Sequence, residues 1–279
     1  MTTTATDPFA ALLDLPGVSD AVSQARTAVD GLLNHRVLRR RSAEVTAESA
    51  LRGARASAEL EGAGIELERL RGQLLAGGTV TLPAKDARGG TIAEGAVRLH
   101  AELGSVLPAW RHSPRQALAR LHVLAAGELV APEALGRPRA AGAAYEDPLG
   151  LGAAPDPLEV SARVDGLSRL LLAPTTAPAV VVAAVVHGEL LALRTFGSLD
   201  GLVARAAARL VLVDRGLDPK AVSAPEVGHA ELHTDYAAAA LAYASGGPAG
   251  VASWISHCAA AVALGAREGL AVCEAIARS

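Results

Sequence analysis

Apolar residues recur at helical spacing along most of the chain. Among the acidic and basic residues of 41–75, Val45, Ala50, Ala54, Ala58 and Leu60 mark two helices, broken near Gly62 and Gly64. Residues 92–103 and 114–126 read as two more. After Asp156-Pro157, a good helix start, residues 158–172 place Leu158, Val160, Val164, Leu167 and Leu171 on one side. The run 178–193 is apolar on every side. Its valines suit a buried strand over 180–186, but its continuation through Glu189 and Leu193 has the length of a helix. Further helices are predicted at 202–215, 235–244 and 249–277. Strand signals are nearly absent, so the predicted fold class is all-α.

The connections sharpen this picture. Residues 77–90, with paired glycines, Pro83 and the sequence Thr79-Val80-Thr81-Leu82, predict a loop with a short extended piece. Residues 132–157 are rich in Gly and Pro and form a long loop close to the functional site; Arg137 and Arg139 within it read as surface arginines. The expected organisation is a partly ordered N-terminal arm, 1–35, with one short helix near 18–33, followed by one helical domain, 36–279. No internal repeat or sustained heptad is present.

Composition narrows the function classes. Half of the 279 residues are apolar (51%) while only 3% are aromatic, which favours close-packed helices with small side chains. A net charge of -3 gives no attraction to phosphate backbones, so nucleic acid is a poor partner, and the run Arg39-Arg40-Arg41 before Ser42 and Glu44 reads as a charged helix start. The apolar run 178–193 is interrupted by His187 and Glu189 and is too short to span a bilayer. Residues 1–8 carry no signal-peptide pattern. Cys258 and Cys273 lack CxxC spacing and fit a reduced, cytoplasmic setting. His229 and His233, with Glu231 between and Asp235 beyond, have metal-ligand spacing but no third aligned ligand, and read as a solvated helix start; no metal is assigned. Trp110 and Trp254 read as core anchors. No dinucleotide-binding glycine motif is found.

One short connection carries chemistry. Between the helices ending at Leu193 and starting at Leu202 lies Arg194-Thr195-Phe196-Gly197-Ser198-Leu199-Asp200-Gly201, a glycine-bearing turn that can aim backbone N–H groups at an anion. Its surroundings resemble the Fic (Fido) family of nucleotide-transferring proteins. There, an apolar helix A-L-x-H-x-x-F-x-x-I leads into the loop H-x-F-x-[DE]-G-N-G-R-x-x-R. Here Ala184-Val185-Val186-His187-Gly188-Glu189-Leu190 leads into the turn, Arg205 and Arg209 follow within an apolar helix, and Arg215-Gly216-Leu217 closes it. Tyr236, Ala240, Leu241, Gly247 and Trp254 match the family's closing helices. Upstream, Ser57-Ala58-Glu59-Leu60-Glu61-Gly62 fits the inhibitory-helix pattern [ST]-x-x-x-E-[GN], within a helix at about 43–61. The resemblance runs from about residue 41 to the C-terminus.

The resemblance implies a loop histidine as base, an acidic residue holding Mg²⁺, and Asn and Arg gripping the phosphates of a nucleotide. The base position is Arg194, which stays protonated and cannot accept a proton. The metal position is Ser198, the following Gly is Leu199, the Asn is Asp200 and the first arginine is Leu202. Phe196, Gly201 and the last arginine, Arg205, persist across this degenerate loop, 194–205. The resemblance also pairs Glu61 with Arg205, which predicts an ion pair between the early helix and the loop helix. The reading is a pseudoenzyme that binds or regulates an unidentified protein partner or a small ligand, with no cofactor, and that self-associates if it shares the family's helical interfaces. The alternative is an active nucleotidyl or phosphoryl transferase using Mg²⁺ and ATP, with Asp200 as metal ligand and His187 as the nearest base; otherwise His187 is a hydrogen-bonded core histidine.

Overall fold

In the computed structural model, residues 7–82 and 86–278 are described; residues 1–6, which hold most of the segment screened for a signal peptide, and residues 83–85, which include Pro83, lie outside the described residues. Helices make up the regular structure, and no strand occurs among the described residues. They are α1 (Val18–Leu33), α2 (Ser42–Leu60), α3 (Leu67–Leu75), α4 (Ala87–Ala101), α5 (Leu103–His112), α6 (Pro114–Ala126), α7 (Pro157–Leu172), α8 (Ala179–Leu193), α9 (Asp200–Asp214), α10 (Pro225–Glu231), α11 (His233–Ser245) and α12 (Pro248–Arg278).

Helix α8 is apolar around its whole circumference and is buried from Val180 to Leu193 apart from the half-buried Val185 and Glu189, so a helix rather than a strand forms the centre of the core. It packs against α9, α11 and α12. Helix α2 lies against α4, α9 and α10, and this places the Ser57–Glu61 segment next to the start of α9. Trp110 and Trp254 are both buried, as anchors should be.

Several boundaries depart from the periodicity. The helix expected near 18–33 is α1, and its Val18, Val22, Ala25, Val29 and Leu32 are buried where it packs on α12, so one amphipathic face ties this part of the arm to the body. Helix α4 starts at Ala87, inside the expected 77–90 loop, and α5 was hidden because Gly104 and Pro108 look like breakers although Leu103, Val106 and Trp110 form a buried stripe. Helix α10 has only seven residues. Helix α7 is capped by the Asp156 side chain, which accepts the Leu158 N–H at 2.8 Å. Leu158 itself is 83% exposed, because the buried side runs through Val160, Val164 and Leu167. Among the described residues α12 alone is long and apolar enough to cross a membrane, and 56% of its most apolar stretch is buried inside the fold.

Candidate functional site: the turn between α8 and α9

Helix α8 ends when Arg194 takes a left-handed conformation, φ 45° and ψ 56°, and α9 begins after a second left-handed residue, Leu199, at φ 52°. Leu199 stands where the resembled motif has glycine, and it takes a left-handed conformation that a side chain disfavours by about 1–2 kcal/mol. Burial offsets this strain, since Leu199 is only 2% exposed and Leu202 is fully covered.

Two backbone donors of this turn are already occupied. Asp200 accepts the Phe196 N–H at 2.9 Å on one carboxylate oxygen and the Gly197 N–H at 2.8 Å on the other. Burial pushes the Asp200 carboxyl up to about 7; the two N–H groups pull it down, and Glu61 pushes it further up. The carboxylate at the Asn position of the resembled motif has folded back onto its own loop.

Glu61 fills the other half. A Cβ placed on Gly201 would stand 2.0 Å from Glu61 Oε1, so only glycine admits this carboxylate to the first turn of α9, the positive end of the helix. There Arg205 Nη2 donates to Glu61 Oε1 at 2.7 Å, with the two side chains 2% and 5% exposed; this is the ion pair the sequence predicts. Arg205 also donates through Nε to Ser57 Oγ at 2.7 Å, through Nη2 to the Ser57 carbonyl at 3.0 Å and through Nη1 to the Tyr236 hydroxyl at 3.2 Å. Gly62 follows, turning the chain out of α2.

Arg194 does not face a substrate. Its Nη1 donates to the Gly152 carbonyl at 2.6 Å and its Nη2 to Ala153 at 3.2 Å, Asp147 lies 3.4 Å away, and the guanidinium covers the Tyr145 ring at 5.2 Å. Arg139, read as a surface residue, donates from Nε to the Arg194 carbonyl at 3.0 Å and also reaches the Pro155 carbonyl; its own N–H meets the Thr195 carbonyl at 2.9 Å, while Arg137 is exposed as expected. The Glu146 N–H meets the Gly197 carbonyl at 2.8 Å. The long loop is thus strapped across the turn. On the other side Phe196 stacks on His122 at 4.3 Å, and burial lowers His122 to about 4, so this ring is neutral. Ser198 is half-buried.

What remains open between Glu61, Asp147, Leu149, Arg194, Asp200 and Arg205 is a cavity of about 20 Å³. That is room for one water, against roughly 300 Å³ or more for a small-molecule pocket.

The helix start expected to be solvated at His229 and His233 is divided between two helices. His229 is buried on α10, and the chain breaks at Leu232, so His233 opens α11 at the surface. His187 is a core histidine, with Nε2 3.0 Å from the Tyr236 hydroxyl. A second buried arginine went unread: Arg209 donates to Glu226 Oε2 at 2.9 Å, Ser49 Oγ at 2.7 Å and the Ala221 carbonyl at 3.0 Å. Its signal was present, because Ser49, Gly53 and Ser57 recur every fourth residue on α2 as Arg205 and Arg209 do on α9.

The order and packing of these helices can be compared with known proteins. No protein-family model matches the sequence, and no curated protein matches it. Solved structures do. A Fic family protein from Desulfovibrio desulfuricans G20 superimposes with a TM-score of 0.73 at 20% identity over 92% of this chain and 75% of that one. Residues 134–508 of Fic-1 from C. elegans give 0.67 at 16% identity, over 92% and 73%. A Fic domain containing signaling protein from Bacteroides thetaiotaomicron VPI-5482 gives 0.62 at 13% identity, over 91% and 98%. The chain has the Fic fold.

Proposed function

We propose that this Fic-fold chain transfers no nucleotide and acts by binding a protein partner. The observation that carries the reading is the presence of the chain's own carboxylates at the turn: Asp200 takes the Phe196 and Gly197 N–H groups, and Glu61 lies against the start of α9 and pairs with Arg205. Arg194, at the base position, is permanently charged and spent on the 147–153 segment. Exposed leucines at 75, 158, 172 and 241 supply apolar contact surface for a partner.

The test is incubation of the protein with labelled ATP and Mg²⁺, alone and with candidate protein acceptors. In an active protein with this arrangement the Glu61 contact would be inhibitory, so Glu61→Gly is run beside the natural sequence. No labelled product is expected from either. Label transferred by the natural protein and lost in Asp200→Ala would establish instead the transferase that uses Asp200 for metal.

A further inference from the structure

Beyond Arg205, the Tyr236 hydroxyl leads into a second buried cluster that nothing above uses. His187 on α8, His229 on α10, and His257 and Cys258 on α12 surround one point, packed against Tyr236 and Trp254. One ring nitrogen of His187, one of His229 and Cys258 Sγ lie within 4.8 Å of one another. The three residues are 1%, 4% and 5% exposed and come from three helices.

Their hydrogen bonds leave one side bare. His187 Nε2 meets the Tyr236 hydroxyl at 3.0 Å, and His229 Nδ1 meets His257 Nε2 at 3.0 Å. His187 Nδ1, His229 Nε2 and the Cys258 thiol have no hydrogen-bond partner among the described residues. A bound ion would give these three atoms a common partner. All three residues line a small cavity of about 20 Å³, enough for a single water-sized body. The bonds already made have the pattern of a metal site, in which the second nitrogen of each ligating imidazole donates outward to fix the ring. With an ion on the opposite nitrogens, the acceptors would be the Tyr236 oxygen, which also accepts from Arg205, and His257 Nε2.

Donor chemistry and charge select the ion. Two imidazoles and a thiolate are a poor set for Mg²⁺ or Ca²⁺, which require oxygen, and a good one for thiophilic d¹⁰ ions. Arg205, Arg209 and Glu226 line the same cavity, and Glu226 already answers Arg209. Zn²⁺ with one thiolate would add a net positive charge beside two guanidinium groups, whereas Cu⁺ with one thiolate adds none.

We propose that His187, His229 and Cys258 form a buried three-coordinate site for Cu(I), clamping α8, α10 and α12. Binding forms one S–Cu and two N–Cu bonds; the thiol proton leaves to solvent and no electron is transferred.

Reduced protein is titrated with Cu(I) under anaerobic conditions against a competing chelator, and in parallel with Zn²⁺. One copper per chain is expected, with a raised melting temperature and tighter retention than zinc. Cys258→Ala and the closer-fitting Cys258→Ser should abolish both effects while keeping the helical circular dichroism of the metal-free protein; Cys273→Ala should bind as the natural protein does. Absence of retained copper in the natural protein, unchanged retention in folded Cys258 variants, or preference for zinc would each overturn the assignment.

Discussion

Arg205 and Arg209 stand one turn apart on α9, and each ties that helix to α2, but their surroundings differ. Arg205 spreads its donors over Ser57, Glu61 and Tyr236, at the edge of a turn with two strained left-handed residues and a small cavity. Arg209 sits in regular helix, and its charge rests on Glu226 alone, a carboxylate that also faces His100 at 3.3 Å. Burial opposes the ionised form of Glu226, yet Arg209, with help from His100, holds it well below the usual carboxylate range. Gly53 admits this pair, since a Cβ there would lie 2.6 Å from Arg209 Nη1. The comparison separates two uses of a buried charge. One closes the turn between α8 and α9; the other only joins helices.

The contrast can be broken at four points. Glu226→Ala leaves the Arg209 guanidinium buried without a countercharge, and urea unfolding should show a loss of about 3–5 kcal/mol. A loss under about 1 kcal/mol would mean that Arg209 does not depend on this carboxylate. Glu61→Ala should cost less, about 1–3 kcal/mol, because Arg205 keeps Ser57 and Tyr236 as acceptors. Equal losses in the two variants would erase the distinction.

A third test uses pH. Asp200 is held near 7 in the fold against an ordinary 3.8, so the folded chain binds its proton more tightly. Its contribution is therefore whole below the unfolded value and is lost as pH rises through about 7. Relative to Asp200→Asn, the natural protein should lose stability between pH 5 and 7 at up to about 1.4 kcal/mol per pH unit. Parallel melting curves across that range would show that the two N–H groups outweigh burial. The smallest effect is expected for Arg194→Ala, about 1 kcal/mol for the lost carbonyl contacts, seen first as faster proteolysis within 139–155.

Much of the fold was legible because helical periodicity is a local property. The buried α8, the break after α2 and the Asp156 cap all follow from neighbouring residues. Helices α5 and α10 did not, since Gly104, Pro108 and the short span before Leu232 obscure the period. In the site, the pairing of Glu61 with Arg205 was legible through two motifs in fixed order, while Arg209 with Glu226 carried no motif and required knowing that the start of α10 comes to face α9.

By itself the sequence determined that Arg194, Ser198 and Leu202 stand where the resembled motif has its base, its metal ligand and its first arginine. Only the tertiary structure decided what those positions do instead. Asp200 turns back onto its own loop, Arg194 straps the 139–155 segment, and His187, His229 and Cys258 meet from three helices. These are matters of direction between distant segments. Spacing along the chain fixes which face of a helix a side chain shares, but the partner across that face is chosen by packing of the whole core.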